Sequence, residues 1–194
     1  MTTTPLSADV PAPDVLVQTT DGDSVQLAQF WQRAPVLLFF VRHVGCVFCR
    51  EQVRSLAQRY ADIRARGADV IAIIPTDAIN AGRFARSMRL PYQVVCDMPR
   101  RAFAAFGLYE TTIGDLAQPE VVLRTARQFA RGNLPIVNPF SSSLTQLGGV
   151  FIMGSDGVVK LGHAATPVFT YPAIDTCLAV LDSLHEPSGI GARE

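Results

Sequence analysis

The chain has 194 residues, 48% of them apolar, and its 17 basic and 17 acidic side chains give a net charge of zero. This length suits one domain, and the apolar fraction excludes a disordered chain, which needs low hydrophobicity or a high net charge. A net charge of zero also removes the simplest argument for a nucleic-acid partner, an overall basic surface. We therefore predict a globular protein without a nucleic-acid partner.

The charge is unevenly distributed along the chain. Residues 1–41 carry a net charge of −3, residues 42–131 carry +6, and residues 132–194 carry −3. Since almost all the basic residues are arginine, arginine-rich codon usage is the simpler explanation. The functional alternative is an electropositive middle segment that holds anions or stabilises a thiolate.

The sequence shows no targeting or membrane segment. Residues 1–14 lack the basic and apolar regions of a secretory signal, and the longest apolar runs, 36–41 and 70–74, are far shorter than a membrane helix. Four cysteines are too few for a disulfide scaffold in a chain of this length. We expect a cytoplasmic protein with no membrane partner and with reduced cysteines.

The first half of the chain predicts alternating strands and helices. Asp21-Gly22 is a turn signal between two short strands, and the continuous apolar run 35–41 is typical of a central strand buried on both faces. The predicted elements, in chain order, are strands at 15–18 and 24–27, a helical turn at 29–33, a strand at 35–41, a helix at 49–66 closed by Gly67, a strand at 68–75, a helix from the cap Asp77 to Met88, a strand at 93–96 and a helix at 99–106. This order favours an α/β fold with a parallel or mixed sheet.

An insertion at 109–148 interrupts this order. It contains a predicted helix at 119–131, followed by a Pro/Ser/Asn-rich stretch at 133–145. About 40 residues is long for a connection in a compact domain, so we expect a functional loop or lid. A hairpin of strands at 149–153 and 158–162 follows, and an amphipathic helix at 171–184 closes the domain. The predicted organisation is a mobile lead-in at 1–13, one domain at 14–186 and a tail at 187–194.

The Cys46-x-x-Cys49 pair lies where the predicted buried strand passes into a helix. A helix N-terminus offers free N–H groups and the positive end of the macrodipole, so it stabilises a thiolate. Arg42, His43 and Arg50 are expected to add positive charge nearby. Two intervening residues allow the sulfurs to meet across one helical turn, so the pair can form and reopen a disulfide.

Other interpretations of the cysteines are weaker. A structural zinc site normally has four nitrogen or sulfur ligands, and only His43 lies near the pair in sequence, so we expect no metal. Cys96, at the end of a predicted strand, could be a further redox partner, although a small core residue is the simpler interpretation. Cys177 has apolar neighbours at helical spacing, which also indicates a core position.

The segment Arg42-His43-x-Gly45-Cys46-x-x-Cys49-Arg50-Glu51 is similar to the signature of peroxiredoxin-like proteins in the AhpC/TSA branch of the thioredoxin-like superfamily. The segment from Gln146 to Phe151, followed by Asp156-Gly157, matches the closing hairpin of that family. The resemblance covers residues 14–108 and resumes at 146–184. It implies a thioredoxin-like α/β fold, with a central mixed sheet flanked by helices, and substrate-facing positions at Gln146, Gly148 and Gly149.

The resemblance leaves open which sulfur attacks the substrate. Aligned with peroxiredoxins, Cys49 falls on the peroxidatic cysteine, Cys46 falls on a threonine and Arg42 on a proline. Aligned with thioredoxin, Cys46 is the exposed nucleophile and Cys49 the buried resolving cysteine, while Gly148 or Gly149 replaces a cis-proline. Exposure at the helix start favours Cys46.

We predict a thiol oxidoreductase whose substrate is a peroxide or a disulfide. One thiolate of the pair attacks, the other cysteine forms the disulfide, and an external thiol donor such as a thioredoxin system reduces it. No cofactor is expected, since the sequence has no phosphate-binding glycine loop. The alternatives are a dithiol-dependent reductase of a small endoperoxide, an activity that the resemblance allows, and a non-catalytic redox-sensing or binding module. The oligomeric state stays open, with a dimer as one option.

Arg124, Arg127 and Arg131 recur at helical spacing on the predicted insertion helix. The simpler interpretation of this basic stripe is a solvated helix face. If the insertion folds over the cysteines, the stripe is instead expected to bind an anionic substrate.

Overall fold

The structure is a computed structural model that describes residues 5–132 and 144–184. Most of the predicted stretch at 133–145, the predicted tail at 187–194 and the first four residues of the predicted lead-in lie outside the described residues. Among the described helices, none is long and apolar enough to cross a membrane.

Seven strands form one mixed sheet. They are Leu16–Thr19 (β1), Ser24–Gln26 (β2), Val36–Phe40 (β3), Asp69–Ile74 (β4), Gln93–Cys96 (β5), Gly149–Met153 (β6) and Val159–Ala164 (β7). Their order across the sheet is β2-β1-β5-β4-β3-β6-β7. β3, β4 and β5 are parallel, whereas the pairs at both edges are antiparallel. The mixed α/β sheet predicted from the sequence is confirmed.

The described helices lie on both faces of the sheet. They are Ala28–Trp31 (α1), Val47–Gln58 (α2), Tyr60–Ala65 (α3), Ala78–Met88 (α4), Arg101–Ala105 (α5), Ile113–Leu116 (α6), Pro119–Ala130 (α7) and Ile174–Ser183 (α8). The cap at Asp77 is confirmed, because its side chain accepts a hydrogen bond from the backbone N–H of Asn80 at 2.9 Å. The short helix α6 was not predicted.

β3 is the centre of the core because every one of its residues is buried. Successive side chains of a strand point to opposite faces, so the apolar run fills two separate cores. Leu37 and Phe39 pack with side chains of α2, α4 and α8 on one face. Leu38 and Phe40 pack with side chains of α1 and α5 on the other. The end of β3 is thereby fixed between β4 and β6, which positions the turn that follows it.

Two predicted helices differ from the observed ones. The predicted helix at 49–66 is divided into α2 and α3, because Arg59 leaves helical dihedral angles with φ −103° and ψ 11°. The predicted helix at 171–184 begins only at Ile174. Pro172 explains this late start, because the residue before a proline is disfavoured in the helical conformation. Tyr171 therefore lies in a loop.

The described part of the predicted mobile lead-in is paired with the rest of the chain. The backbone N–H of Asp9 donates to the carbonyl of Val159 at 2.8 Å, and the N–H of Val159 donates to the carbonyl of Val10 at 2.9 Å. The N–H of Ala12 donates to Gly157 at 2.8 Å. Alternating apolar residues in this segment, Leu6 and Val10 among them, pack against the core and account for the pairing.

Asp97 holds the start of α5. Its carboxylate is almost fully buried and accepts hydrogen bonds from the backbone N–H groups of Arg101, Ala102 and Phe103 at 3.0, 2.7 and 3.2 Å. These are N–H groups that a helix cannot pair internally. The carboxylate thus connects the end of β5 to the helix that packs under β3.

We predict that Asp97→Ala lowers the free energy of unfolding by about 2 kcal/mol, because it leaves buried N–H groups without an acceptor. Urea denaturation followed by circular dichroism measures this change. Asp175→Ala is the control: it removes an exposed carboxylate that pairs with Arg59, and its expected cost is below about 1 kcal/mol. Equal costs for the two variants would contradict the role of Asp97.

Candidate active site

The turn at the end of β3 brings the two predicted cysteines to the first turn of α2. Cys46 is the N-cap residue, with an extended backbone, and its sulfur accepts a hydrogen bond from the backbone N–H of Cys49 at 3.3 Å. Cys46 is 4% exposed and Cys49 is completely buried. Both are free thiols in this structure. The helix therefore directs an unpaired N–H group at the sulfur that lies nearer the surface.

Cys46 is the more acidic cysteine. Burial by itself raises the pKa of its thiol, but the hydrogen bond from Cys49, the charge of Arg42 and backbone N–H groups outweigh burial and lower the pKa to about 7. The thiolate of Cys46 is therefore far more accessible at neutral pH than that of an ordinary cysteine. Burial, together with the hydrogen bond and the charge of Cys46, raises the pKa of Cys49 well above its ordinary range. Cys49 is a thiol at neutral pH.

Arg42 connects this turn to the segment that enters β6. Its side chain is buried at the end of β3, and Nε donates to the carbonyl of Gln146 at 2.6 Å. Nη2 donates to the carbonyl of Leu144. Nη1 lies 3.9 Å from the sulfur of Cys46. A rigid, permanently charged guanidinium thus lies beside the thiolate.

Neither of the other two basic residues predicted to support the cysteines is among the groups that lower the pKa of Cys46. Burial and the charge of Arg42 lower the pKa of His43 to about 4, so at neutral pH this imidazole is uncharged, contrary to the sequence prediction. Its Nδ1 is buried and has no hydrogen-bond partner among the described residues. Arg50 is partly exposed, and burial and the charge of Arg54 lower its pKa. The cation that acts on Cys46 is Arg42.

Tyr171 is a site residue that sequence reasoning missed. Its hydroxyl lies 3.5 Å from the sulfur of Cys49, and its ring packs edge-on against Phe39 with the centroids 5.4 Å apart. Burial, with the nearby cysteine charges, raises the pKa of Tyr171 well above its ordinary range, so it stays a hydrogen-bond donor. Pro172 indicates that Tyr171 lies outside the helix, but no signal in the sequence places its hydroxyl beside Cys49.

Gln146 and Gly148 are buried beside Arg42 and the end of β3, and they do not face a substrate. The Gln146 side chain is 2% exposed, and its Nε2 donates to the carbonyls of Leu108 and Leu147 at 2.7 and 3.1 Å. At Gly148 a Cβ atom would lie 2.6 Å from the carbonyl oxygen of Phe40 and 3.0 Å from Arg42. This glycine therefore allows the chain to pass close to the buried arginine. The predicted substrate-facing role of these two residues is corrected accordingly.

Gly149 is also enclosed by protein. A Cβ atom there would lie 2.6 Å from the carbonyl oxygen of His163 and 3.0 Å from the Leu108 side chain. Because this space is filled by the neighbouring strand β7 and by the core, Gly149 does not face a substrate either. Its predicted role is corrected in the same way.

A cavity of about 250 Å³ lies over Cys46. Its walls come from the cysteine turn, from α6 and α7 and from two loops, and most of its lining side chains are apolar. The lining residues are Arg42, His43, Gly45, Cys46, Val47, Phe48, Leu116, Val121, Thr125, Phe129, Leu144 and Val168. The part of the predicted insertion that forms α6 and α7 thus covers Cys46, whereas Cys49 does not line the cavity.

The predicted basic stripe borders a different cavity. Arg124, Arg127 and Arg131 line a neighbouring space of about 190 Å³, which shares Phe48 with the cavity over Cys46. The guanidinium of Arg124 stacks over the ring of Phe169 at 4.2 Å and pairs with Glu120 at 3.0 Å. The described part of the insertion does fold over the cysteine turn, but the three arginines do not line the cavity that contains the sulfur.

Cys96 and Cys177 lie in the core. Burial, with the charge of Asp77, raises the pKa of Cys96 to about 11, and burial raises that of Cys177 to about 11 as well. Both are therefore inert thiols at neutral pH. In the parts of the chain that the structure describes, the His, Cys, Asp and Glu side chains form no group of three or more that could hold a metal ion.

The sheet order and the Cys-x-x-Cys turn at the start of α2 define a thioredoxin-like fold. Solved structures with this fold include peroxidoxin BcpB from Mycobacterium tuberculosis, which superposes with a TM-score of 0.68 at 16% identity and covers 92% of this chain and 97% of its own. The predicted fold is confirmed.

The chain belongs to the AhpC/TSA family, whose model matches residues 8–161. The class of enzyme predicted from the sequence, a thiol-dependent oxidoreductase, agrees with this membership. A "Prostamide/prostaglandin F synthase" of Salmo salar is 26% identical over 155 residues, which are 76% of this chain and 74% of that protein. A chloroplastic "Peroxiredoxin Q" of Triticum aestivum is 28% identical over 104 residues, 54% of this chain and 48% of that protein.

We predict that the alkylation rate of Cys46 rises with pH with a midpoint at about 7, because only the thiolate reacts. In Arg42→Met the midpoint is expected to rise by about 1 to 2 pH units, since the stabilising charge is lost. Iodoacetamide labelling of each cysteine, followed by mass spectrometry, measures both midpoints.

Cys96 is the internal control for this measurement, because its pKa of about 11 leaves it unlabelled at neutral pH in the same sample. The proposed electrostatics would be wrong if Cys46 titrated with a midpoint near its ordinary 9.0 in both proteins.

Proposed function

We propose that this protein reduces peroxides, with Cys46 as the attacking cysteine and Cys49 as the resolving cysteine. The observation that carries the proposal is the position of the Cys46 sulfur between the Arg42 guanidinium and the N-terminus of α2, at the base of an apolar cavity. A thiolate in such a place is stabilised at neutral pH, and it faces a cavity into which a substrate could bring an O–O bond.

The steps of the reaction follow from these positions. The Cys46 thiolate attacks one peroxide oxygen, the O–O bond breaks, and the other oxygen leaves as an alcohol or water after it takes a proton. Cys46 is then a sulfenic acid. The sulfur of Cys49 attacks that of Cys46, the S–O bond breaks, and the hydroxyl leaves as water with the proton of Cys49. The product is a Cys46–Cys49 disulfide, and two electrons have passed to the peroxide.

Burial and hydrogen bonding support this order of the two cysteines. Cys46 lines the cavity, whereas Cys49 is fully buried beneath it and does not line it. The Cys49 N–H donates to the Cys46 sulfur and so favours the anion there. Cys49 has Tyr171 as its polar neighbour, whose hydroxyl can donate to the Cys49 thiolate when it forms. The second cysteine is therefore placed to act only after the first is oxidised.

The lining of the cavity favours an organic peroxide over hydrogen peroxide. Phe48, Val121 and Phe129 are among the apolar side chains that face this space. Burial of apolar substrate surface contributes about 25 cal/mol per Å², so a substrate with an apolar body binds more tightly there than hydrogen peroxide.

A second candidate substrate is a cyclic endoperoxide. The same apolar cavity supports it, and so does the similarity to proteins named "Prostamide/prostaglandin F synthase". In this reaction the dithiol is oxidised to the disulfide and the endoperoxide is reduced to a diol. The family membership also supports an external thiol reductant of the thioredoxin type, which returns the disulfide to the dithiol.

The central test is the rate of thiol oxidation by cumene hydroperoxide in Cys46→Ser and Cys49→Ser. Cys46→Ser is expected to lower this rate by about 10³-fold, because the attacking atom is lost. Cys49→Ser is expected to keep the rate within about twofold, but to accumulate a sulfenic acid at Cys46, because no resolving thiol is present. Rapid quenching with dimedone and mass spectrometry measure both.

The matched control is Cys96→Ser, which removes a buried core thiol at the end of β5. It should change neither the rate of thiol oxidation nor the amount of sulfenic acid that accumulates. If Cys49→Ser abolished the first oxidation and Cys46→Ser retained it, the proposed order would be reversed. If both variants reacted as fast as the unaltered protein, the pair would not be the reactive centre. The same assay with a cyclic endoperoxide tests the second candidate.

We predict that Tyr171→Phe slows disulfide formation by about fivefold and leaves the first oxidation unchanged. The hydroxyl lies 3.5 Å from the Cys49 sulfur, and a hydrogen bond of about 1 kcal/mol to the thiolate is lost. Quenched-flow mass spectrometry separates the two steps. Tyr109→Phe is the control, because that partly exposed hydroxyl donates to the carbonyl of Ala104. Equal slowing of both steps would show that Tyr171 acts only on the fold of the site.

A further inference from the structure

The charge balance of the site depends on its redox state. Arg42 is 4% exposed, and the partners of its guanidinium are two neutral carbonyl groups and the sulfur of Cys46. Within residues 5–132 and 144–184, no carboxylate forms an ion pair with Arg42. A buried cation is stable only when an anion or good hydrogen bonds compensate it. The anion available in this site is the Cys46 thiolate.

Disulfide formation removes that anion. In the reduced form, a thiolate at Cys46 and the guanidinium of Arg42 make a neutral pair 3.9 Å apart. In the disulfide both sulfurs are uncharged, and the buried guanidinium keeps only its neutral carbonyl partners. The interaction therefore stabilises the reduced form relative to the oxidised form, and a disulfide whose reduced form is stabilised is a stronger oxidant.

In the oxidised form, the Arg42 guanidinium lies beside the sulfur that a reducing thiolate must attack. A thiolate that reduces the disulfide must reach the Cys46 sulfur, because Cys49 is fully buried and does not line the cavity. That sulfur lies beside Arg42 at the base of a cavity of about 250 Å³, a size that suits a small molecule. The uncompensated guanidinium attracts an anionic sulfur to this point.

We propose that small monothiols of the glutathione class reduce the Cys46–Cys49 disulfide directly, because Arg42 favours the reduced pair and attracts the attacking thiolate. This inference rests on the redox pair of the proposed function and adds a class of reductant to it. It requires no contact between this site and a protein partner.

The reduction balances with two monothiols. The first thiolate attacks the Cys46 sulfur and the S–S bond breaks. The Cys49 thiolate, to which the Tyr171 hydroxyl 3.5 Å away can donate a hydrogen bond, takes a proton from water. The second thiolate attacks the sulfur of the bound monothiol and releases the Cys46 thiolate beside Arg42. Two monothiols are oxidised to one small disulfide, and the protein disulfide is reduced to a thiolate and a thiol.

The test is the equilibrium of the peroxide-oxidised protein with glutathione buffers. The pair is expected to be half reduced at a ratio of [GSH]² to [GSSG] at least about tenfold lower than that of thioredoxin in the same buffer, and tenfold corresponds to 29.6 mV. Arg42→Met is expected to raise this ratio by about tenfold or more. Alkylation and mass spectrometry measure the reduced fraction.

Two further variants allow the inference to be tested even if Arg42→Met does not fold. Arg42→Lys retains the charge but loses the paired hydrogen bonds of the guanidinium, and it is expected to raise the ratio by less than about tenfold. Arg83→Met makes the same chemical change at an exposed position of α4 and should have no effect. The inference would be overturned if the unaltered protein needed the same ratio as thioredoxin, or if Arg42→Met folded and shifted the ratio by less than about threefold.

Failure of the proposed function gives a different result. If peptide mapping after peroxide treatment found no Cys46–Cys49 disulfide, the redox pair itself would be wrong. If the disulfide formed but glutathione did not reduce it, the proposed redox pair would be supported and only the inference about monothiols would be wrong.

Discussion

The hydrogen bonds of Arg42 hold together two chain segments that are more than 100 residues apart in sequence. One segment is the turn that carries Cys46, and the other leads into β6 at the neighbouring position of the sheet. The guanidinium lies between them and donates to the buried carbonyl of Gln146 and to the more exposed carbonyl of Leu144. The geometry of the cysteine turn, the charge on Cys46 and the wall formed by Leu144 all depend on this one side chain.

The parts of the fold that could be predicted are those with local signals. The run of five apolar residues in β3 indicates a strand buried on both faces, and it is one. The turn before α2 was recognisable because two cysteines with this spacing follow such a strand. The positions of Gly67 and Gly132 after helices were predictable for a similar reason, since both have positive φ angles that glycine adopts easily.

The contacts that could not be predicted join residues that are distant in sequence. The Tyr171 hydroxyl contacts the sulfur of Cys49, which lies 122 residues earlier in the sequence, and the Gln146 side chain donates to Leu108, 38 residues earlier. No periodic pattern in the sequence connects residues so far apart. The charge of His43 was mispredicted because its protonation depends on burial, which a sequence motif does not give. For the same reason the arginines of α7 were recognised as a stripe, but the cavity that they border was not.

The N-terminal segment has a consequence for assembly. β7 is an edge strand, and residues 9–12 form backbone hydrogen bonds with residues 157–159 at its start. Exposed edges are the usual places where sheets of two molecules join. A second copy that continued the sheet at this end of β7 would have to displace the segment and replace its hydrogen bonds. Pairing of two molecules through the start of β7 is therefore disfavoured while this segment stays in place, because the protein's own chain already occupies those hydrogen-bonding positions.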